Sequence, residues 1–276
     1  MRIGLILGAI SIGAASLPAQ VTVRSVAHEL GDMVSDVGYV WGSPLRANGK
    51  EWGTAALAVA GFGALLPVDA RIDQWVVGHP RSGLATVTRP FREHGGPLVR
   101  LGTARNLVPI STALILAGTI ANGRGLREAG YGCVSAWGFS NSLRYVVYAA
   151  VARERPSRAD GDPFRFRVPG GEWDHHAFFA GHATNAFACA SFWAERFDLG
   201  VAEPALYGAA TLVALSRMVD RRHWTSDTFL GAIVGVAAGR VIASRYERRA
   251  VVRSRRLDPI ALARARQIVI LWRSSF

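Results

Sequence analysis

Lysine is almost absent from this 276-residue chain. Thirty-two basic residues face 20 acidic ones, and Lys50 is the one lysine, so the net charge of +12 is an arginine charge. Cysteine is nearly as scarce. Cys133 and Cys189 sit in separate apolar runs, which excludes a disulfide-built scaffold. They are expected as buried bystanders, with a bond between them as the alternative in an oxidising compartment. Internal repeats and low-complexity tracts are lacking, which leaves out solenoids and long linkers. Metal-ligand spacing is lacking too. The adjacent His175 and His176, beside Trp173 and Asp174, face apart, so no metal or other cofactor is expected. No nucleic-acid-binding motif accompanies the basic charge, so nucleic acid is not an expected partner.

What is present is apolar. Half of the residues are hydrophobic, enough for the core of one large domain. The opening "MRIGLILGAISIGAASLPAQ" has a basic end, an apolar run and a small-residue stretch with Leu17 and Ala19 at the cleavage-side positions. That layout predicts an export signal over 1–19. Residues 20–49 read as a mixed N-terminal extension, 50–245 as the domain proper and 246–276 as a basic tail. Uncharged runs at 52–68, 106–123, 129–143, 175–194, 204–216 and 228–239 are too long for strands and predict six helices. Most are shorter than the roughly 20 apolar residues of a membrane span. Gly231, Gly235 and Gly239, however, make a small-residue stripe of the kind that lets helices pack closely, in membranes or in a soluble bundle. From Arg240 onward ten arginines face Glu247 and Asp258, a net +8. Such a tail is either a solvated end or a contact with anionic lipid on the cytoplasmic side of a membrane.

Charged residues with chemical potential lie at the joints between helices. "SRMVDRRHWTSD" (216–227) carries His223 and Asp227 four residues apart, with Arg217 at the end of the preceding run. On a helix beginning near His223, the two would share a face. Asp227 would then hold one ring nitrogen and leave the other basic, as a nucleophile or general base. An arginine aimed at the same point suggests an anionic ligand. "RERP" (153–156) projects Arg155 from a proline-stopped helix, and "FFAGHAT" (178–184) opens a helix on Gly181 and His182. Backbone N–H groups at such a helix start form an anion site.

Taken together, the three stretches resemble the signature motifs of the type 2 phosphatidic acid phosphatase (PAP2) and vanadium haloperoxidase superfamily. The third matches in full: Ser216, Arg217, five residues, His223, three residues, Asp227. The resemblance covers about residues 50 to 245. It implies an all-α, six-helix bundle that associates with membranes, and a phosphatase that works without metal through a phosphohistidine. Carried over by position, His223 is the nucleophile, Asp227 its orienting partner and His182 the general acid. Arg155, Arg217 and the Gly181 amide would hold the phosphate. The substrate implied is a phosphorylated lipid or a small phosphate ester or pyrophosphate. The site is expected in the cell envelope, facing the periplasm from the inner membrane or on a soluble periplasmic protein.

Two positions depart from the pattern. Tyr148 stands where the first motif has lysine, and Ala180 where the second has serine. Each loss of a preorganised donor costs roughly 2.7–4 kcal/mol of transition-state stabilisation in comparable sites. Arg144, one helical turn before Tyr148, can reach the vacancy, and the Tyr148 hydroxyl can itself donate. The alternatives are an anion- or lipid-binding envelope protein on the same helices, and a vanadate-dependent haloperoxidase. The haloperoxidase is disfavoured because it uses the same lysine and serine.

Overall fold

The computed structural model describes residues 23–92, 98, 102–168 and 176–257. The expected signal segment, His175 with Trp173 and Asp174, and the tail beyond Leu257 lie outside the described residues. The architecture is all-α. The helices are α1 (Val23–Trp41), α2 (Gly49–Gly78), the short α3 (Gly83–Val87), α4 (Ala104–Ile120), α5 (Arg124–Ala150), α6 (Gly181–Arg196), α7 (Ala202–Val219) and α8 (Thr225–Leu257). The six predicted helices correspond to α2 and α4–α8. A two-residue antiparallel pair, β1 (Ala152–Arg153) with β2 (Phe166–Arg167), pins the long α5–α6 connection.

Local chemistry explains several boundaries. Asn48 caps α2 by accepting from the N–H groups of Lys50 (2.9 Å) and Glu51 (3.1 Å), and Glu51 accepts in return from the Asn48 N–H (2.8 Å). That reciprocal box satisfies donors which a helix start otherwise leaves open. The Ser82 hydroxyl caps α3 in the same way. α5 stops ahead of the Arg-Glu-Arg-Pro stretch, because proline cannot continue a helix.

Helix α6 is central, with α5, α7 and α8 packed around it and its widest contact made with α8. The glycine stripe lies in that contact. A Cβ on Gly231 would meet the Ala180 carbonyl oxygen at 2.8 Å, one on Gly235 the Thr184 oxygen at 2.4 Å, and one on Gly239 the Ala188 oxygen at 2.5 Å. Only glycine lets the two backbones approach this closely. Val40, Phe139, Phe192, Ile242 and Tyr246 form the main apolar core beside this contact. Two helices among the described residues are long and apolar enough to cross a membrane, Gly49–Gly78 and Thr225–Val252.

Three expectations need correction. Cys133 and Cys189 are not bystanders: they form a disulfide that ties α5 to α6, with Cα atoms 4.7 Å apart. Residues 20–49 contain α1, an amphipathic helix packed on α5 and α8. Its charges interrupt the apolar spacing, so no uncharged run marks it. The near part of the basic tail is only partly solvated: Glu247 and Arg248 are exposed, while Arg245 and Arg249 are half-buried. α8 continues through it, and the fully buried Asp36 of α1 accepts from Arg245 (2.5 Å) and Arg249 (2.6 and 2.7 Å).

The α6–α8 contact generates a prediction. Gly235→Ala places a methyl against backbone of α6 on two sides, the Thr184 oxygen and the Ala188 nitrogen (3.0 Å). Unfolding measurements should show a loss of about 1–3 kcal/mol. Gly38→Ala, where a Cβ meets nothing within 4 Å, should instead stabilise α1 by up to about 1 kcal/mol.

Candidate active site

Five helix ends converge at one end of the bundle. The C-terminal ends of α2, α5 and α7 meet the N-terminal ends of α6 and α8, and the three charged joints lie there. Arg155 follows β1, Gly181 and His182 open α6, Arg217 closes α7, and His223 sits two residues before α8. The two helix N-termini turn the positive end of their dipoles to this point.

His223 is buried, and its Nδ1 lies 2.6 Å from the Ala177 carbonyl oxygen. A carbonyl only accepts, so Nδ1 carries the proton and the Nε2 lone pair is left available. Burial pushes the His223 ring well below the ordinary histidine pKa of 6.5, and the charges of Arg155 and Arg217 add to the effect. His182 is lowered to about 3, first by desolvation and then by Arg217, Arg144, Arg155 and Arg222. Both rings are therefore neutral in the resting site, within the field of several guanidinium groups.

The carboxylates nearby are held by arginines. Arg217, nearly fully buried, donates to Asp220 (2.7 Å) and to the Phe91 carbonyl (3.2 Å), and Arg92 donates to the same Asp220 (2.9 Å). Arg221 grips Asp73 with two bonds, at 2.9 and 2.7 Å. Arg222 joins the site as a fourth charge around His182, a role that the sequence motifs do not mark.

Asp227 is not where the sequence expectation puts it. Its carboxylate accepts from Arg153 Nη1 (2.5 Å) and from the Trp224 N–H (3.0 Å), while His223 Nδ1 is taken by Ala177. The geometric reason is that Asp227 lies in the first turn of α8. There a carboxylate reaches back to the N–H of the residue just before its helix, as the third residue of a capping box does. Arg153, which the sequence did not single out, is fully buried.

The two departures from the motif pattern are both in place. Ala180, fully buried, is the N-cap of α6 and gives it no side-chain cap. Thr184 offers no replacement, since its hydroxyl donates back to the Ala180 carbonyl (3.0 Å). Tyr148 is buried, and its ring stacks on His176 with centroids 4.3 Å apart. Burial pushes its phenol up to about 12, so it stays neutral. Arg144 lies with its guanidinium 5.6 Å from the Tyr148 ring centre, and it runs across Gly181. A Cβ at Gly181 would come within 2.8 Å of Arg144 Cδ and 2.9 Å of Nη1. Arg144 Nε is buried with no hydrogen-bond partner among the described residues. The arrangement offers a neutral imidazole nitrogen, a second imidazole and an arginine-rich cradle for an anion.

Residues 132–250 match the sequence profile of the PAP2 superfamily. A 68-residue stretch is 37% identical to the lipid A 1-phosphatase of Porphyromonas gingivalis, covering 23% of this chain and 15% of that protein's length. No solved structure matches the chain.

The depressed histidines generate a pH prediction. The unfolded chain binds a proton at His182 below about pH 6.5, whereas the folded chain binds it only near 3. Stability should therefore be complete above 6.5 and decline as pH falls towards 3, by up to about 1.4 kcal/mol per pH unit for each such group. Chemical unfolding across this range should show a shallower decline for His182→Gln than for the parent. An unchanged slope would mean that His182 is not held neutral.

Proposed function

We propose that this chain, which matches the PAP2 superfamily over residues 132–250, is a phosphatase of lipid-linked phosphate esters or pyrophosphates, working through a phosphohistidine on His223. The observation that carries this reading is the His223 ring itself: Nδ1–H fixed on the Ala177 carbonyl, Nε2 unprotonated, and arginines around it. Phosphoryl transfer asks for alignment and charge stabilisation more than for elaborate covalent machinery.

The steps balance as follows. The substrate monoanion enters the cradle of Arg155, Arg217 and the Gly181 N–H and brings a proton. Nε2 attacks phosphorus, a P–N bond forms and the P–O bond to the leaving group breaks. The leaving oxygen takes the substrate's proton, relayed through His182. Water then attacks the phosphohistidine, and its proton passes through His182 to the departing phosphate, which leaves both rings neutral. The P–N bond breaks and inorganic phosphate departs. Arg144 and Tyr148 take the place of the lysine in the first motif.

The lipid side of the proposal draws on α2. Only 11% of its apolar window is buried inside the protein, against 50% for that of α8. Trp52, Leu57, Val59 and Trp75 of α2 are exposed. An apolar surface of that extent suits hydrocarbon rather than water. The Cys133–Cys189 bond favours an oxidising compartment, which supports export and a site on the periplasmic side.

The direct test is phosphate release from a panel of lipid and soluble phosphates by the detergent-purified chain. His223→Ala should abolish release while leaving the protein folded, and more than a few per cent residual turnover would exclude the mechanism. A folded parent that binds these anions without releasing phosphate would favour an anion-binding protein. Bromide oxidation dependent on added vanadate would mark a haloperoxidase.

A second test concerns the altered cradle. Arg144→Ala should lower kcat/KM by about tenfold or more, the scale of one lost transition-state donor. The same change should matter less in a Tyr148→Lys background, because two side chains filling one role are not additive. Independent effects at 144 and 148 would remove Arg144 from the cradle.

A further inference from the structure

Arg153 lies outside the residues that the motifs single out, yet both supports of His223 pass through it. Its side chain is fully buried and all of its nitrogens are engaged. Nε donates to the Pro163 carbonyl (2.9 Å), Nη1 to the Ser226 hydroxyl (2.8 Å) and Asp227 (2.5 Å), and Nη2 to Asp69 (2.9 Å). The guanidinium carbon lies 5.1 Å from the Phe166 ring centre and 5.3 Å from that of Trp224. Asp69, reaching in from α2 and itself fully buried, also accepts from the Ser226 N–H (2.9 Å) and the Ser226 hydroxyl.

The first support runs through the side chain. Arg153 holds Asp227, whose other oxygen accepts from the N–H of Trp224, the residue next to His223. That fixes the backbone on the C-terminal side of the imidazole. The second support runs through the backbone. The Arg153 carbonyl accepts from the Ala177 N–H (3.0 Å), and the Ala177 carbonyl holds His223 Nδ1. That fixes the ring. Arg155 follows two residues later, just past the end of β1, so its entry into the cradle begins from the same anchor.

We infer that Arg153, clamped by Asp69, is a positioning residue which sets the orientation and tautomer of His223, the task that the motif spacing assigns to Asp227. It acts through Asp227 and Ala177 and does not touch the substrate. A neutral side chain at 153 would leave two buried carboxylates without their shared cation and release the first support, and the backbone bond to Ala177 would lose the side-chain anchor beside it.

The role of His223 as nucleophile rests on the phosphatase reading, but its orientation does not, so the test has two readouts. Asp69→Asn, Ser226→Ala and Arg153→Lys are compared with the parent, using para-nitrophenyl phosphate and a short-chain phosphatidic acid as probes. For folded Asp69→Asn we expect kcat to fall about tenfold to a hundredfold, the scale of a small misplacement of a reacting group, with KM changed less than about threefold. Ser226→Ala, the mildest change, should fall in the same direction by less. Arg153→Lys should retain some turnover, and Arg153→Met none.

The second readout is the nitrogen resonances of the His223 ring, assigned with His223→Gln. The parent should show a single tautomer with Nδ1 protonated, and Asp69→Asn should show averaging between tautomers. Folded Asp69→Asn with parental kcat and an unchanged ring signal would overturn the inference. So would a loss of activity that only follows the fraction of protein folded. If the parent releases no phosphate from either probe, the phosphatase reading fails, and the ring signals alone decide whether Arg153 and Asp69 orient His223.

Discussion

The close backbone contact between α6 and α8 is the constraint from which the site follows. Gly231, Gly235 and Gly239 remove every Cβ that would hold the two helices apart. The start of α6 therefore lies beside the start of α8, and His182 comes into the same pocket as His223. The Ala180 N–H even donates to the Asp227 carbonyl (3.1 Å), a hydrogen bond between the two motifs. The Cys133–Cys189 bond ties α5 to α6 and so holds the Arg144 and Tyr148 end of α5 against the same helix start. A stripe of small residues is usually read as a feature of packing. Here packing and chemistry share one surface.

Electrostatics completes what packing begins. A chain with so many arginines must hold them apart or pair them, and the structure does both. Asp36 pairs Arg245 and Arg249 far from the site, and Asp73 pairs Arg221. Asp69 and Asp227 share Arg153, and Asp220 is shared between Arg92 and Arg217. These pairs are buried or half-buried, and there charge must be matched or the fold loses several kcal/mol. Around His182 the charges of Arg217, Arg144, Arg155 and Arg222 converge. Together with burial, which is the larger cause, they lower the pKa of both histidines, and on the proposed reading they attract the phosphate.

Much of this was legible in the sequence, because motifs at helix ends need only spacing and order to be recognised. Arg217 and His223 are six residues apart across a turn, and Gly181–His182 opens a helix, so their convergence followed from the element order. The direct bond expected from Asp227 to the His223 ring is not formed. Spacing shows that two residues share a helix face, but not that a first-turn carboxylate will turn to its own backbone and to a buried arginine. Arg153 carried no signal for a related reason: nothing in its local sequence marks a buried side chain, and its partner Asp69 lies 84 residues earlier in sequence. Helix α1 was hidden because its apolar positions alternate with acids that later proved to be partners for α8. The disulfide was open because nothing local distinguishes two cysteines facing each other from two that merely lie in the core.

The central claim is that phosphate passes through a covalent bond to His223. Brief mixing with a radiolabelled phosphate monoester, followed by an alkaline quench and peptide mapping, tests it most directly. The label should be found on the peptide containing His223, stable to alkali and labile to acid as a phosphoramidate is, and it should be absent from His223→Ala. Turnover of the same ester with no trapped label, or with label on any other residue, would contradict it.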